Sequence, residues 1–138
     1  MKKYVGTKHI EAEPMLMQEA YDKGLLQAGR MPVENKLGYI VKYNDGYLSW
    51  SPKDAFEAAY EVEETPLDRL YIERKGLIEK FQKLCTFIGR KDFNDIIEDE
   101  EMRVLLRLQQ HYMGEYLNIL NIRIKIMMKQ AEETAENK

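Results

Sequence analysis

Four positions on one stretch of the chain could bind an anion. Arg103, Arg107, Gln110 and Gly114 fall at i, i+4, i+7 and i+11, a single line along a helix. Arginine presents a planar fork of donors that matches two phosphate oxygens at once, and a glycine in the same line lets a flat ligand or another backbone approach. A solvated rim beside a packed stripe would produce the same line. Arg123 stands instead inside an apolar stripe, where a charge needs an acid or a phosphate as partner. Upstream, Phe87, Phe93 and Asn94 bring two aromatic faces and an amide to one polar corner. Aromatic faces stack on bases and an amide reads base edges, although core packing would also occupy both rings.

Catalytic chemistry finds no comparable constellation. His9 and His111 are the two histidines, and neither belongs to an HExxH or sits with a CxxC. No GxSxG elbow and no Gly-rich phosphate loop is present. Ser49 and Ser51 read as a sheet residue and a helix cap. The acids at 98–101 suit the positive end of a helix dipole. Cys85, the single cysteine, lies between Leu84 and Phe87 in a helical apolar pattern and reads as a buried thiol. The expectation is a protein that is not an enzyme and needs neither metal nor cofactor.

The bulk numbers agree with a binding protein. The chain has 138 residues and a net charge of −3, with a pI near 5.5. That balance argues against DNA or RNA as partner, since such binding rests on counterion release by clustered cations. A small phosphorylated ligand needs only a local basic pocket. No apolar run approaches the roughly 18 residues that suggest a bilayer span. "MKKYVGTKHI" at the N-terminus has two lysines but no apolar signal core. The expectation is a cytosolic protein with no membrane partner.

The elements that must position these residues follow from periodicity. Residues 3–13 alternate loosely and predict a strand ended by Pro14. Residues 15–29 predict a short helix stopped by Gly29. "YIVKY" and "YLSW" flank "NDG", the signal of a tight hairpin. Ser51, Pro52 and Asp54 then read as cap, first turn and third position of a helix over 53–60, with Phe56 and Tyr60 on one face against the sheet. Thr65, Pro66 and Asp68 repeat the signal for a long helix to Ile88, stopped by Gly89. Its apolar residues recur in threes and fours, broken only at Arg74.

A polar corner, "RKDFNDI", leads to a second helix from about Ile97. Its stripe runs Met102, Leu106, Gln109, Met113, Tyr116, Leu120, Arg123 and Met127, and "AEETAENK" is expected to fray. Further apolar residues lie off that stripe: Leu105, Leu108, Tyr112, Leu117, Ile119, Ile122, Ile124 and Ile126. A helix that is apolar on several sides is packed on several sides, which predicts association with other copies of the chain. The fold class is therefore α+β: residues 1–62 form a small antiparallel sheet with short helices. Residues 63–138 form a long antiparallel αα-hairpin and oligomerisation region.

Two groups of motifs carry a family resemblance. "KYVGTKHIEAEPM" (3–15) and "GYIVKYNDGYLSWSPKDAFEAAY" (38–60) resemble the small N-terminal domain of the first family of phage Thoeris anti-defence proteins. "LIEKFQKLCTFIGRKDFNDI" (77–96) and "LLRLQQHYMGEYLNILNIRI" (105–124) resemble the helical hairpin that this family shares with phage anti-CBASS sponges. Residues 16–36 match the pattern least. The resemblance implies a sponge that holds a cyclic nucleotide immune messenger away from its effector without cleaving it. The implied ligand is a glycocyclic ADP-ribose isomer, and some members also take cyclic di- or trinucleotides at a separate site. It implies dimers gathered into hexamers in the cytoplasm of an infected bacterium. The ligand contacts expected here are Phe87, Phe93, Asn94, Arg103, Arg107 and Arg123. The rival reading is an interaction protein that inhibits a host defence protein directly.

Overall fold

A computed structural model describes residues 1–26, 32 and 34–137. The chain divides into two compact units, Met1–Glu61 and Val62–Lys138. The first holds β1 (Glu11–Pro14), α1 (Met17–Asp22), β2 (Gly38–Lys42), β3 (Leu48–Pro52) and α2 (Lys53–Ala59). The second holds α3 (Pro66–Ile88), α4 (Phe93–Ile96) and α5 (Glu100–Glu136). The architecture is α+β: a small antiparallel sheet with short helices, then a long antiparallel helix pair.

In the first unit the strands lie in the order β1-β2-β3. The hairpin forms where "NDG" predicts it. Gly46 takes φ +86°, a conformation open to glycine at little cost. The Tyr43 N–H donates to the Tyr47 carbonyl at 2.9 Å, and Asp45 Oδ1 accepts from the Tyr47 N–H at 3.0 Å. Strand pairing continues further than the local signal suggests, with Tyr39 opposite Ser51 and Gly38 opposite Pro52. Ser51 is therefore a strand residue and not the expected cap; Pro52 precedes α2, which has no side-chain cap.

The N-terminal strand is also shorter than predicted. Only Glu11–Pro14 pairs, because β2 offers partners from Tyr39 to Lys42 and no further. Tyr4 and Val5 are exposed. α1 ends early, at Gly24 with φ +71°. There the Gly24 N–H reaches the Tyr21 carbonyl and the Leu25 N–H the Ala20 carbonyl, the paired closure of a glycine-ended helix. The predicted stop at Gly29 lies outside the described residues. Met15, Ala20 and Ile40 form the core on one side of the sheet, with Leu25, Leu26 and Trp50 packed against them. On the other side Tyr39 stacks on Phe56 at 4.2 Å and Phe56 on Tyr60 at 5.1 Å. Phe56 thus covers the sheet as its spacing with Tyr60 predicts.

In the second unit, Thr65 and Asp68 close a reciprocal capping box, with Pro66 in the first turn. α3 and α5 pack antiparallel, and Leu70, Leu120 and Ile124 are their buried core, joined by Leu67, Tyr71, Leu77 and Met127. Arg74, the break in the α3 stripe, donates to Asn121 Oδ1 at 3.4 Å. α5 starts at Glu100, capped by Asp99, three residues later than predicted. It continues to Glu136, so most of the tail expected to fray is helical. α4 is a four-residue helix that periodicity cannot reveal.

The packed face of α5 is rotated from the predicted stripe. Leu117 and Ile124 face inward with Leu120, whereas Met102, Gln109, Tyr116 and Arg123 are exposed. Among the described residues no helix is long and apolar enough to cross a membrane.

Candidate functional site: the corner between α3 and α5

The end of α3, α4 and the first turns of α5 form one aromatic and cationic corner. Phe93 opens α4 and is 2% exposed. Its ring meets Phe87 edge-on, with centroids 5.3 Å apart. The Arg107 guanidinium lies over the Phe93 ring, 5.3 Å from its centroid. That geometry is a cation–π contact, and it holds Arg107 while leaving the side chain exposed to solvent. Asn94 is exposed next to Phe93.

Arg103 has a different task. Its guanidinium donates to the carbonyls of Ile97 at 2.8 Å, Glu98 at 3.1 Å and Asn94 at 3.4 Å. These carbonyls belong to α4 and the link to α5, where backbone acceptors lack an intrahelical donor. Arg103 therefore ties the corner together.

The other residues of the arginine line pack onto α3. Gln110 donates to Cys85 Sγ at 3.2 Å. A Cβ on Gly114 would lie 3.4 Å from the Phe81 ring. The flat group beside that glycine is thus a ring of the same chain.

The structure brings Phe87, Phe93, Asn94, Arg103 and Arg107 to this corner and leaves Arg123 out of it. Arg123 is sixteen residues beyond Arg107 on the same helix, about 24 Å at 1.5 Å per residue. One small ligand cannot touch both arginines of one protomer at that distance.

An open groove of about 340 Å³ runs along α3 into the corner, lined by Gln82, Lys83, Thr86, Phe87 and Arg90. Phe87 belongs to both groove and aromatic corner. Lys83, Thr86 and Arg90 were missed by sequence reasoning, although their spacing from Phe87 puts them near it on a helix. Arg90 grips Asp92 through two parallel hydrogen bonds, each 2.9 Å. This contact holds the Asp92 carboxyl below its usual range and raises Arg90 further. A second concavity of about 420 Å³ lies on the sheet of the first unit. Its floor includes Met15, Ile40 and Leu48, and its charges balance, with Glu11 and Glu13 against Lys23 and Lys42. Among the described residues no group of three or more His, Cys, Asp or Glu is placed to hold a metal ion.

The corner leaves one half-exposed aromatic ring, Phe87, beside the exposed amide of Asn94 and the exposed guanidinium of Arg107. Residues 64–126 match the Sequestin family model. The match runs from the cap of α3 through the corner to Ile126 of α5, a little under half of the chain. The second unit is thus similar to Sequestin, and the match supports a sequestering protein of the anti-defence sponge kind. No curated protein and no solved structure matches the chain.

Proposed function

We propose that this protein is a phage anti-defence sponge: it binds a cyclic nucleotide immune messenger and holds it intact. The observation that supports this most is the Sequestin match over the segment that builds the corner. Sequestration needs a preformed site with stacking surfaces and phosphate donors, and no nucleophile or general base. Arg107 supplies a phosphate donor already oriented on Phe93. Phe87 offers a half-exposed ring, Asn94 an amide and Lys83 a second cation in the adjoining groove. Arg103 and Phe93 shape this site from behind.

The messenger proposed is glycocyclic ADP-ribose, in keeping with the Thoeris resemblance. Cyclic di- or trinucleotides would take a separate site. The protein would act in the cytoplasm of the infected host as a homo-oligomer built from dimers, with the hexamer as the assembly the resemblance implies. Its effect would be to block Thoeris-type signalling.

The test is direct. The protein is incubated with candidate messengers, freed of unbound ligand and denatured, and the released molecule is identified. The expected result is unchanged glycocyclic ADP-ribose that still activates the bacterial effector. Release of linear ADP-ribose would overturn the sponge in favour of catalysis. Release of no ligand across cyclic ADP-ribose isomers and cyclic oligonucleotides would favour direct inhibition of a host protein.

A further inference from the structure

Arg90 stands just past the end of α3, where the chain turns into the corner. It lines the open groove together with Phe87 and Lys83. Lys83 precedes Phe87 by one turn and Arg90 follows it, so a cation stands before and after the ring along the groove. The backbone of this turn is pinned. The Arg90 N–H donates to the Phe87 carbonyl at 3.2 Å, and the Arg90 carbonyl accepts from the Phe93 N–H at 3.2 Å. The Asp92 carbonyl accepts from the N–H groups of Asp95 at 3.0 Å and Ile96 at 2.9 Å.

The side chain is held as well. Asp92 accepts from Arg90 Nε and Nη2 in two bonds of 2.9 Å each. That contact fills the side-on edge of the guanidinium. The end-on edge, formed by Nη1 and the remaining hydrogen of Nη2, is left for another acceptor and matches two oxygens of one phosphate. The Arg90 side chain is 54% exposed, so a ligand in the groove can reach it. We infer that Arg90 is a second phosphate-binding residue of the sequestration site and that Asp92 is its positioning residue. This role rests on the sponge reading above and names the group held: one phosphate of a nucleotide whose sugars are joined through a diphosphate.

The site then has two oriented guanidinium groups, Arg107 held by the Phe93 ring and Arg90 held by a carboxylate. An exposed ion pair adds little to stability, so stability is a weak reason for this two-bond geometry. Preorganisation is a stronger one. A loose arginine gives up its rotamer freedom when it grips a ligand, whereas Arg90 gives it up on folding. Asp92 offsets part of the Arg90 charge, so its benefit to binding lies in orientation and not in field strength.

Calorimetric titration of the full chain with glycocyclic ADP-ribose tests both roles, with far-UV circular dichroism to check that each variant keeps its helices. Arg90→Ala should weaken binding about tenfold or more, as for the loss of a charge-assisted contact. Arg90→Lys should recover only part of it. Asp92→Asn should weaken binding several-fold in the wild-type background and should not weaken it further in Arg90→Ala, because its route to the ligand is Arg90. The phosphorus resonances of the bound messenger should shift in the same direction in Arg90→Ala and Asp92→Asn, which a purely structural role would not produce. Unchanged affinity in Arg90→Ala, with Arg107→Ala weakened, would overturn the inference and leave the sponge reading standing. Tighter binding in Asp92→Asn would mean that the carboxylate competes with the phosphate, and would overturn its positioning role. So would an Asp92→Asn loss that persists without Arg90. A wild-type chain that binds no glycocyclic ADP-ribose would overturn the proposed messenger and this inference with it.

Discussion

Arg107 lies over the face of Phe93, its guanidinium carbon 5.3 Å from the ring centre. Four residues earlier on α5, Arg103 is bound to three backbone carbonyls. Neighbours on one helical line thus have opposite duties, and mutation should separate them. Arg107→Ala should cost about 1.5–3 kcal/mol of messenger affinity, the range for a charge-assisted hydrogen bond. Its effect on stability should stay within about 1 kcal/mol, as for an exposed cation–π contact. Arg107→Lys should recover part of the affinity, since a point charge cannot make the planar two-bond contact. Arg103→Ala should instead lower stability by roughly 0.5–1.5 kcal/mol, mainly through the part-buried Ile97 carbonyl, since the other two carbonyls are open to water. Calorimetric titration and urea denaturation on the same variants give the two readouts. Loss of affinity in Arg103→Ala at unchanged stability, with Arg107→Ala silent, would reverse the assignment.

Gly114 faces the Phe81 ring with room for one carbon, since a Cβ there would sit 3.4 Å from the nearest ring atom. Glycine inside a helix is worse than alanine by about 0.5–1 kcal/mol. Gly114→Ala should therefore stabilise the helix pair by about that amount. Gly114→Leu should push Phe81 aside and cost about 1–3 kcal/mol. Thermal melts followed at 222 nm would decide. Strong destabilisation by alanine would mean that the Phe81 contact is tighter than the geometry indicates.

How much of this was legible depends on how local each signal is. Thr65, Pro66 and Asp68 announce α3 because the capping box is closed within four residues. "NDG" announces the hairpin because Gly46 alone supplies the positive φ the turn requires. Ser51 misleads because its role is set by Tyr39, its strand partner twelve residues earlier. Arg103 resembles a ligand arginine because its partners are backbone carbonyls, which no side-chain pattern reveals. The inward rotation of Leu117 and Ile124 was hidden for another reason. A helix with two apolar sides gives two acceptable stripes, and only the packing on α3 chooses between them.

The Arg90–Asp92 pair gives the corner an acid dependence. Hydrogen bonding from Arg90, reinforced by its charge, holds the Asp92 carboxyl below the usual carboxylate range. The folded-state value is thus depressed relative to the unfolded chain. The pair's contribution is present above the unfolded value and is lost as pH falls through the folded one. Asp92→Asn should lower the melting temperature at neutral pH. The gap to wild type should close as the solution is acidified toward the lower end of the carboxylate range. A gap that stayed constant down to strongly acidic solution would show that Asp92 acts through packing and not through its charge.

Gly38 should be the least replaceable of the described glycines of the first unit. It opens β2 opposite Pro52, and a Cβ there would collide with the Ser51 carbonyl oxygen and the Trp50 indole. Neither neighbour is free to yield. Ser51 is held in the strand ladder, and Trp50 Nε1 donates to the Met15 carbonyl at 2.8 Å. Gly38 itself is anchored, because its carbonyl accepts from the Met15 N–H at 2.9 Å. Relief therefore requires the strand to separate from its neighbour or the indole to leave the core. Gly38→Ala should cost about 1–3 kcal/mol, the usual range for overpacking. Gly6→Ala is the control, because nothing lies within 4 Å of a Cβ at Gly6. Trp50 is the single tryptophan, so its fluorescence during urea unfolding reports on this unit directly. If Gly38→Ala unfolds at the same urea concentration as Gly6→Ala, the close approach of β2 to Trp50 does not exist in solution.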